Sequence, residues 1–241
     1  MNDRTTPARP HRKLTPDGRV MREVLSYSRR GSRMTPAQQR AWDARNEEWV
    51  IPDEAVEEPG FSWTTWFDRE APLIVEIGSG VGEATAALAA TRPECNVLAF
   101  EVWRPGVAET LARLEEAGVD NVRLCGVDAV WSLEHLMAPA SIAELWTFFP
   151  DPWHKARHHK RRLVSPAFAR VVAERLVPGG SWRLATDWAD YADHMGEVLD
   201  AEPGLTGGAV ERWAERPLTR FERKGLAKGR TIVDLLYHAV E

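Results

Sequence analysis

Leu73-Ile74-Val75-Glu76-Ile77-Gly78-Ser79-Gly80-Val81-Gly82 is the stretch that decides the fold. An apolar, partly β-branched run with one embedded acid reads as a buried strand, and the glycines after it read as a tight turn that opens a helix. A strand handing over to a helix in this way is the first unit of a parallel sheet with crossover helices. The same alternation continues, with strands predicted at 73–77, 96–101, 122–127, 142–149 and 180–186. Helices are predicted at about 82–91, 105–117, 130–138 and 165–176, the last entered through Ser165-Pro166 and stopped by Pro178-Gly179-Gly180. After Asp187 a helix runs to about Leu199, a glycine-rich loop covers 204–208, and a final strand runs from Thr231 to Val240.

Upstream of this pattern the chain changes character. Residues 1–20 mix Pro, Arg, Thr and Asp without periodicity and read as a disordered basic arm. Residues 21–62 form a basic segment with one helix and an acidic linker, and 63–241 form the main domain. The helix starts at Thr35-Pro36-Ala37-Gln38, where a hydroxyl cap, a proline in the first turn and Gln38 complete a capping box, and it extends to about Trp49. Residues 50–62 read as a loop, and Trp63-Thr64-Thr65-Trp66-Phe67 as a short helix.

The chain has 241 residues, 44% of them apolar and 28% charged, the make-up of a soluble globular protein. No run approaches the roughly 18 apolar residues of a membrane span, and the start carries no apolar signal core, so a cytoplasmic location and no membrane partner are expected. Cys95 and Cys125 lie in apolar surroundings with no metal-ligand spacing and read as core thiols. The net charge of −5 hides a strong asymmetry. Residues 1–40 carry ten Lys and Arg against three acids, leaving 21 against 33 elsewhere. Within that acidic remainder, residues 153–162 hold five cations and no acid, and residues 212–230 hold seven against two. Three basic islands on an acidic body suit a polyanion such as RNA.

One island adjoins a second distinctive stretch, Leu145-Trp146-Thr147-Phe148-Phe149-Pro150-Asp151-Pro152-Trp153-His154-Lys155. A buried strand delivers one carboxylate, held between two prolines, to an electropositive mouth. The prolines limit the shapes of this loop and bias Phe149 toward an extended backbone. The glycine spacing is G-x-G-x-G, and strand two ends on Glu101, 19 residues beyond Gly82. A strand-end acid there accepts from a ribose diol, and Asp128 after strand three could meet an adenine amino group.

These features resemble the S-adenosylmethionine-dependent methyltransferases. Phe149 to Lys155 with Arg157 to Arg162, then Ala185-Thr186-Asp187-Trp188 and Arg216-Pro217-Leu218-Thr219-Arg220-Phe221-Glu222, together resemble the bacterial tRNA (guanine-N7-)-methyltransferases, from about Ser26 to the C-terminus. The resemblance implies an α/β, doubly wound, mostly parallel Rossmann-like methyltransferase sheet with an antiparallel last strand. It implies methyl transfer from S-adenosyl-L-methionine to N7 of guanine-46 in the tRNA variable loop. It makes Glu76, Gly78, Gly80, Glu101, Asp128 and Asp151 cofactor-binding, with Asp151 also the catalytic acid. Lys155, Asp187, Thr219, Arg220, Phe221 and Glu222 would bind substrate, and Arg157, His158, His159, Lys160, Arg161 and Arg162 the RNA. Arg220, Ala156 and Ser79 depart from the residues commonest in that family, at tolerant positions.

Plainer readings stand beside these. Glu101 and Asp128 also read as ordinary strand-end acids, and Asp187 as the cap of the helix that follows it. His154, His158 and His159 suit phosphate better than a metal, and Trp153 is a candidate for stacking on a base. A nicotinamide-dependent oxidoreductase fits the glycine loop and Glu101, and a non-catalytic RNA-binding module fits the basic islands. Monomer and homodimer both remain open.

Overall fold

A computed structural model describes residues 25–27 and 31–240. The predicted arm at 1–20 lies outside the described residues. Fifteen helices and strands are found among the described residues, together with short 3-10 turns. Helix α1 (Pro36–Trp49) leads into β1 (Val50–Ile51), and after two 3-10 turns come β2 (Leu73–Ile77), α2 (Glu83–Ala90), β3 (Asn96–Phe100) and α3 (Arg104–Ala117). β4 (Val122–Cys125), α4 (Ala129–His135), β5 (Ile142–Phe148), α5 (Pro166–Arg175) and β6 (Leu176–Thr186) follow. The chain then runs through α6 (Ala189–Asp200), β7 (Leu205–Val210), α7 (Arg220–Leu226) and β8 (Val233–Ala239).

The strands form one sheet in the order β1-β4-β3-β2-β5-β6-β8-β7. β1 to β6 are parallel, and β8 runs antiparallel to both β6 and β7, as the predicted last strand requires. From β2, strands β3 and β4 build outward to one side and β5 and β6 to the other, so the winding reverses between β2 and β5. An open crevice forms there at the carboxyl ends of the strands.

Both faces of the sheet are covered. On one face Leu88 of α2 and Leu111 and Leu114 of α3, together with Trp49 of α1, bury against Ile74, Val97, Leu124 and Trp146. On the other, Trp131 of α4, Phe168 and Val172 of α5, and Tyr191 and Met195 of α6 bury against Val75, Leu98, Leu145 and Trp182. Local signals set the helix starts: Thr35 accepts from the Gln38 N–H while the Gln38 side chain accepts from the Thr35 N–H, and Ser165 accepts from the Phe168 N–H.

Three expectations are corrected. Residues 50–62 are not all loop, because Val50 and Ile51 pair with Leu124 and Cys125 and bring the segment into the main sheet and core. Residues 204–208 are largely the edge strand β7 rather than a free loop. Glycine serves that strand through close approach: a Cβ on Gly207 would lie 2.0 Å from the Leu236 carbonyl oxygen. β6 also begins at Leu176, four residues early, with a register shift against β5 between Ile142 and Glu144.

α3 meets the glycine loop at a similarly close contact. A Cβ on Gly106 would lie 2.2 Å from the Gly80 carbonyl oxygen. Gly106→Ala must therefore push α3 away from the loop, an overpacking cost of about 1–3 kcal/mol, and the midpoint of thermal unfolding is expected to fall by about 3–10 °C. An unchanged melting curve would contradict this contact.

Candidate active site

The crevice at the β2–β5 reversal is a cleft open to solvent, with about 1200 Å³ of empty space when the solvent at its mouth is included. Gly78 and Gly80, both at positive φ, form one wall, and Glu76, Glu101, Asp128 and Asp151 bring four acids to its lining. Glu76, on β2, is buried and accepts a 2.6 Å hydrogen bond from the Thr85 hydroxyl of α2. Burial pushes its carboxyl up to about 7, against the Thr85 bond and with a contribution from the Glu101 charge. Glu101 accepts from the Gly80 N–H at 2.8 Å and from the Trp103 N–H at 2.7 Å, so its carboxylate ties the glycine loop to the β3–α3 turn. Asp128 caps α4 by accepting from the Trp131 N–H at 2.9 Å. Both acids therefore brace the local backbone while lining the cleft. The Ser79 hydroxyl is buried with no hydrogen-bond partner among the described residues.

The loop after β5 presents Asp151. Phe149 takes φ 53° and Trp153 φ 50°, so the backbone on both sides of Pro150-Asp151-Pro152 is left-handed, and Phe149 is not extended as its proline neighbour predicted. Non-glycine residues adopt such angles at a cost of about 1–3 kcal/mol and cluster at functional sites. The Phe149 N–H is held by the Ala185 carbonyl at 2.7 Å. Asp151 lines the cleft and has no hydrogen bond or ion pair with the described residues. Trp153 is not an open stacking platform: the Arg161 guanidinium lies 3.5 Å over its ring, and its indole N–H donates to the Ser26 carbonyl at 3.0 Å.

The substrate candidates divide. Thr219 caps α7, and Thr219 and Phe221 line the cleft, with the Phe221 ring over Gly80. The Arg220 N–H and the Arg223 guanidinium both donate to Glu83, at 2.7 and 3.1 Å, anchoring α7 to the start of α2. The Arg220 side chain is exposed. Glu222 faces inward, buried between Arg216 at 2.5 Å and Arg212 at 2.7 Å, so burial and pairing remove it from substrate contact. Asp187 lies outside the cleft lining and pairs with Arg230 at 2.6 Å. It does not cap α6, whose cap residue is Trp188 without a side-chain bond.

The basic run divides as well. Lys155, Arg157 and Lys160 are exposed around a 3-10 turn over Ala156–Arg161. Arg162 is buried, bonded to Asp190 and to the Pro152 carbonyl, and Arg161 donates to the Leu25 and Tyr27 carbonyls. These two hold protein rather than face RNA. Desolvation, with the Arg157 and Arg161 charges, lowers the His158 pKa and so disfavours its charged form. His159 stands 3.2 Å from Arg162, and His154 packs on Trp188 with centroids 4.0 Å apart, so the three histidines diverge. Ser26 and Tyr27 also line the cleft.

Because the folded Glu76 pKa is raised from 4.5 to about 7, the folded chain holds more protons than the unfolded chain between those values, and stability falls as pH rises through that window. The effect is on the order of 3 kcal/mol across the window. Glu76→Gln is expected to flatten this slope. Urea midpoints of both proteins at pH 5 and 7.5 check it, and parallel pH dependences would refute it.

Comparison with known proteins agrees with this geometry. A family model described as "Putative methyltransferase" matches residues 70–235. A tRNA (guanine-N(7)-)-methyltransferase from Nocardioides sp. is 69% identical over 98% of this chain and 95% of its own length. One from Cutibacterium acnes is 51% identical over 92% of this chain and 86% of its own. Among solved structures, the 16S rRNA methyltransferase KamB superposes with a TM-score of 0.52 at 17% identity, covering 92% of this chain and all of its own, a likeness of fold. No helix among the described residues is long and apolar enough to cross a membrane. The nicotinamide reading has no support in these relatives. The chain belongs to the tRNA (guanine-N(7)-)-methyltransferase family.

Proposed function

We infer that this chain transfers a methyl group from S-adenosyl-L-methionine to N7 of a guanine in tRNA, with guanine-46 of the variable loop as the target. The observation that carries the reading is Asp151, a carboxylate without a protein partner among the described residues, set by a strained loop into a cleft beside exposed cations.

The cleft suits the cofactor chemically. Its four acids match a ligand bearing an ammonium and a sulfonium, and the Ser79 hydroxyl, without a hydrogen-bond partner among the described residues, would suit a ligand rich in polar groups. Glu101 would accept from the ribose diol and Asp128 from the adenine amino group, with Glu76, Gly78 and Gly80 around the amino-acid end. When bound, the cofactor supplies a methyl group made electrophilic by its sulfonium.

Guanine N7 already carries an in-plane lone pair, so no base need remove a proton before attack. Alignment and charge remain. The purine gains positive charge as the bond forms, and the Asp151 carboxylate stabilises that charge and fixes the ring. Asp187, just outside the cleft lining, gives one oxygen to Arg230, and its Oδ1 would accept from the N–H edge of the base. Thr219 and Phe221 close the cleft from the α7 side, Arg220 adds an exposed cation there, and Lys155, Arg157 and Lys160 supply phosphate contacts. A cytoplasmic site of action accords with this substrate.

Labelled methyl transfer to unmodified tRNA, mapped by borohydride reduction and aniline cleavage, tests the reaction. Cleavage at one variable-loop guanine is expected, with at least about a hundredfold loss in Asp151→Ala. Near-normal turnover in Asp151→Asn would remove the charge-stabilising role.

The split in the basic run gives a second expectation. Arg157→Ala with Lys160→Ala is expected to weaken tRNA binding and reduce the slope of log affinity against log salt by about 2, leaving cofactor affinity and melting unchanged. Arg162→Ala is expected to lower the melting temperature, because it removes a buried side chain packed over the Tyr191 ring and bonded to the Pro152 carbonyl. Filter binding across a salt series and thermal melts separate the two, and equal salt slopes in wild type and double variant would contradict the assignment.

A further inference from the structure

Arg216 is the most completely enclosed charge among the described residues. Its side chain has no solvent exposure, and its guanidinium bridges two carboxylates, Glu222 of α7 at 2.5 Å and Asp234 of β8 at 2.9 Å. Arg212 completes a balanced cluster of two cations and two anions by donating to Glu222 at 2.7 Å and to the Arg216 carbonyl at 2.7 Å. None of these groups lines the cleft. The cluster nonetheless touches both sides of it.

On one side the Arg216 guanidinium carbon lies 5.6 Å from the ring centre of Phe148 and 5.3 Å from that of Phe149. Phe149 is the left-handed residue from which the Pro150-Asp151 loop departs. The contact follows from the sheet register: Phe148 pairs with Ala185, Ala185 pairs with Asp234, and the Ala185 carbonyl receives the Phe149 N–H. Asp234 thus holds the guanidinium two strands away from the ring it covers. On the other side Glu222 sits one turn into α7, directly after Thr219 and Phe221, which line the cleft. A single planar fork spans the acid-bearing loop, the last strand and the covering helix.

We propose that Arg216 is a positioning residue for methyl transfer, which locks the Phe149-Pro150-Asp151 turn and α7 in register so that Asp151 and Phe221 face one cleft. An unfavourable φ persists only where surrounding contacts over-determine it, and the Arg216–Phe149 stack is one of the contacts that do so here. A carboxylate displaced by about 1 Å from its working position can lose on the order of a hundredfold in rate. The proposal rests on methyl transfer being the activity of the cleft.

Two variants approach the contact from its two ends. Arg216→Lys keeps a charge but loses the fork that reaches both carboxylates. Phe149→Leu leaves the ion cluster whole and removes the ring beneath it. Wild type, both single variants and the double variant are compared by steady-state methyl transfer to tRNA, by cofactor calorimetry and by thermal melting. Each single variant is expected to lower kcat by at least about tenfold with cofactor Kd within about threefold, and the double variant to be no more than about threefold slower than the slower single.

Losses in kcat that multiply in the double variant, or a folded single variant with wild-type kcat, would overturn the proposal. A merely structural Arg216 lowers the melting temperature without moving kcat of the folded protein. If Arg216→Lys does not fold, Phe149→Leu decides: a tenfold loss of kcat at near-normal stability supports the contact, and a normal kcat refutes it. A wild-type chain that methylates no tRNA removes both the functional reading and the proposal, whereas an active wild type with unaffected variants removes the proposal alone.

Discussion

The cleft depends on a contact between two stretches of main chain. Gly106 and the Gly80 carbonyl approach so closely that no side chain fits between them, and the rest of the cleft is built outward from that point. Phe100 gives its carbonyl to the N–H groups of Gly78 and Ser79, while Glu101 takes those of Gly80 and Trp103. The glycine loop and the β3–α3 turn are therefore one unit. Gly82, at φ 75°, then starts α2, which places Glu83 where it receives the Arg220 N–H and the Arg223 guanidinium. A steric allowance at two glycines thus reaches the helix on the far side of the cleft.

Charge is the second organising term, and its signs alone do not say where it goes. Buried ions are costly unless paired and hydrogen-bonded. The inward-facing members of the basic islands, Arg161, Arg162 and Arg216, are all arginines with two or more acceptors, and the half-buried Arg230 pairs with Asp187. The lysines Lys155, Lys160, Lys224 and Lys228 are exposed. The planar guanidinium satisfies two or three acceptors at fixed angles, which a strongly hydrated ammonium does less well. The electrostatic footprint is consequently smaller than the count of cations, and richer in lysine.

Much of this was legible in the chain itself. The parallel strands stand out because burial on both faces makes them continuous apolar runs, and Thr35 and Ser165 announce their helices through local hydrogen bonds. The acids at strand ends were legible for the same reason, since the strand direction places them at one edge. What escaped depends on partners distant in sequence. β1 is two residues long and exists because β4 offers an edge, and β7 holds glycines against their propensity because Leu236 and Tyr237 crowd its backbone. Asp187 has a sequence context that suits substrate contact, yet Arg230, 43 residues further on, takes one of its oxygens. Phe149 departs from the preference of a pre-proline residue because Ala185 and Arg216 hold it.

The short segment beside the cleft mouth is gripped in a way with a separate consequence. Trp153, Arg161 and Trp103 reach the carbonyl oxygens of Leu25, Ser26, Tyr27 and Gly31. Every residue type carries that oxygen, so these bonds do not discriminate among side chains. Ser26 contributes to the cleft wall while the bond that fastens it is indifferent to its side chain. The mouth of the site can therefore be recut at that position, by mutation over evolutionary time or by design, without renegotiating that bond.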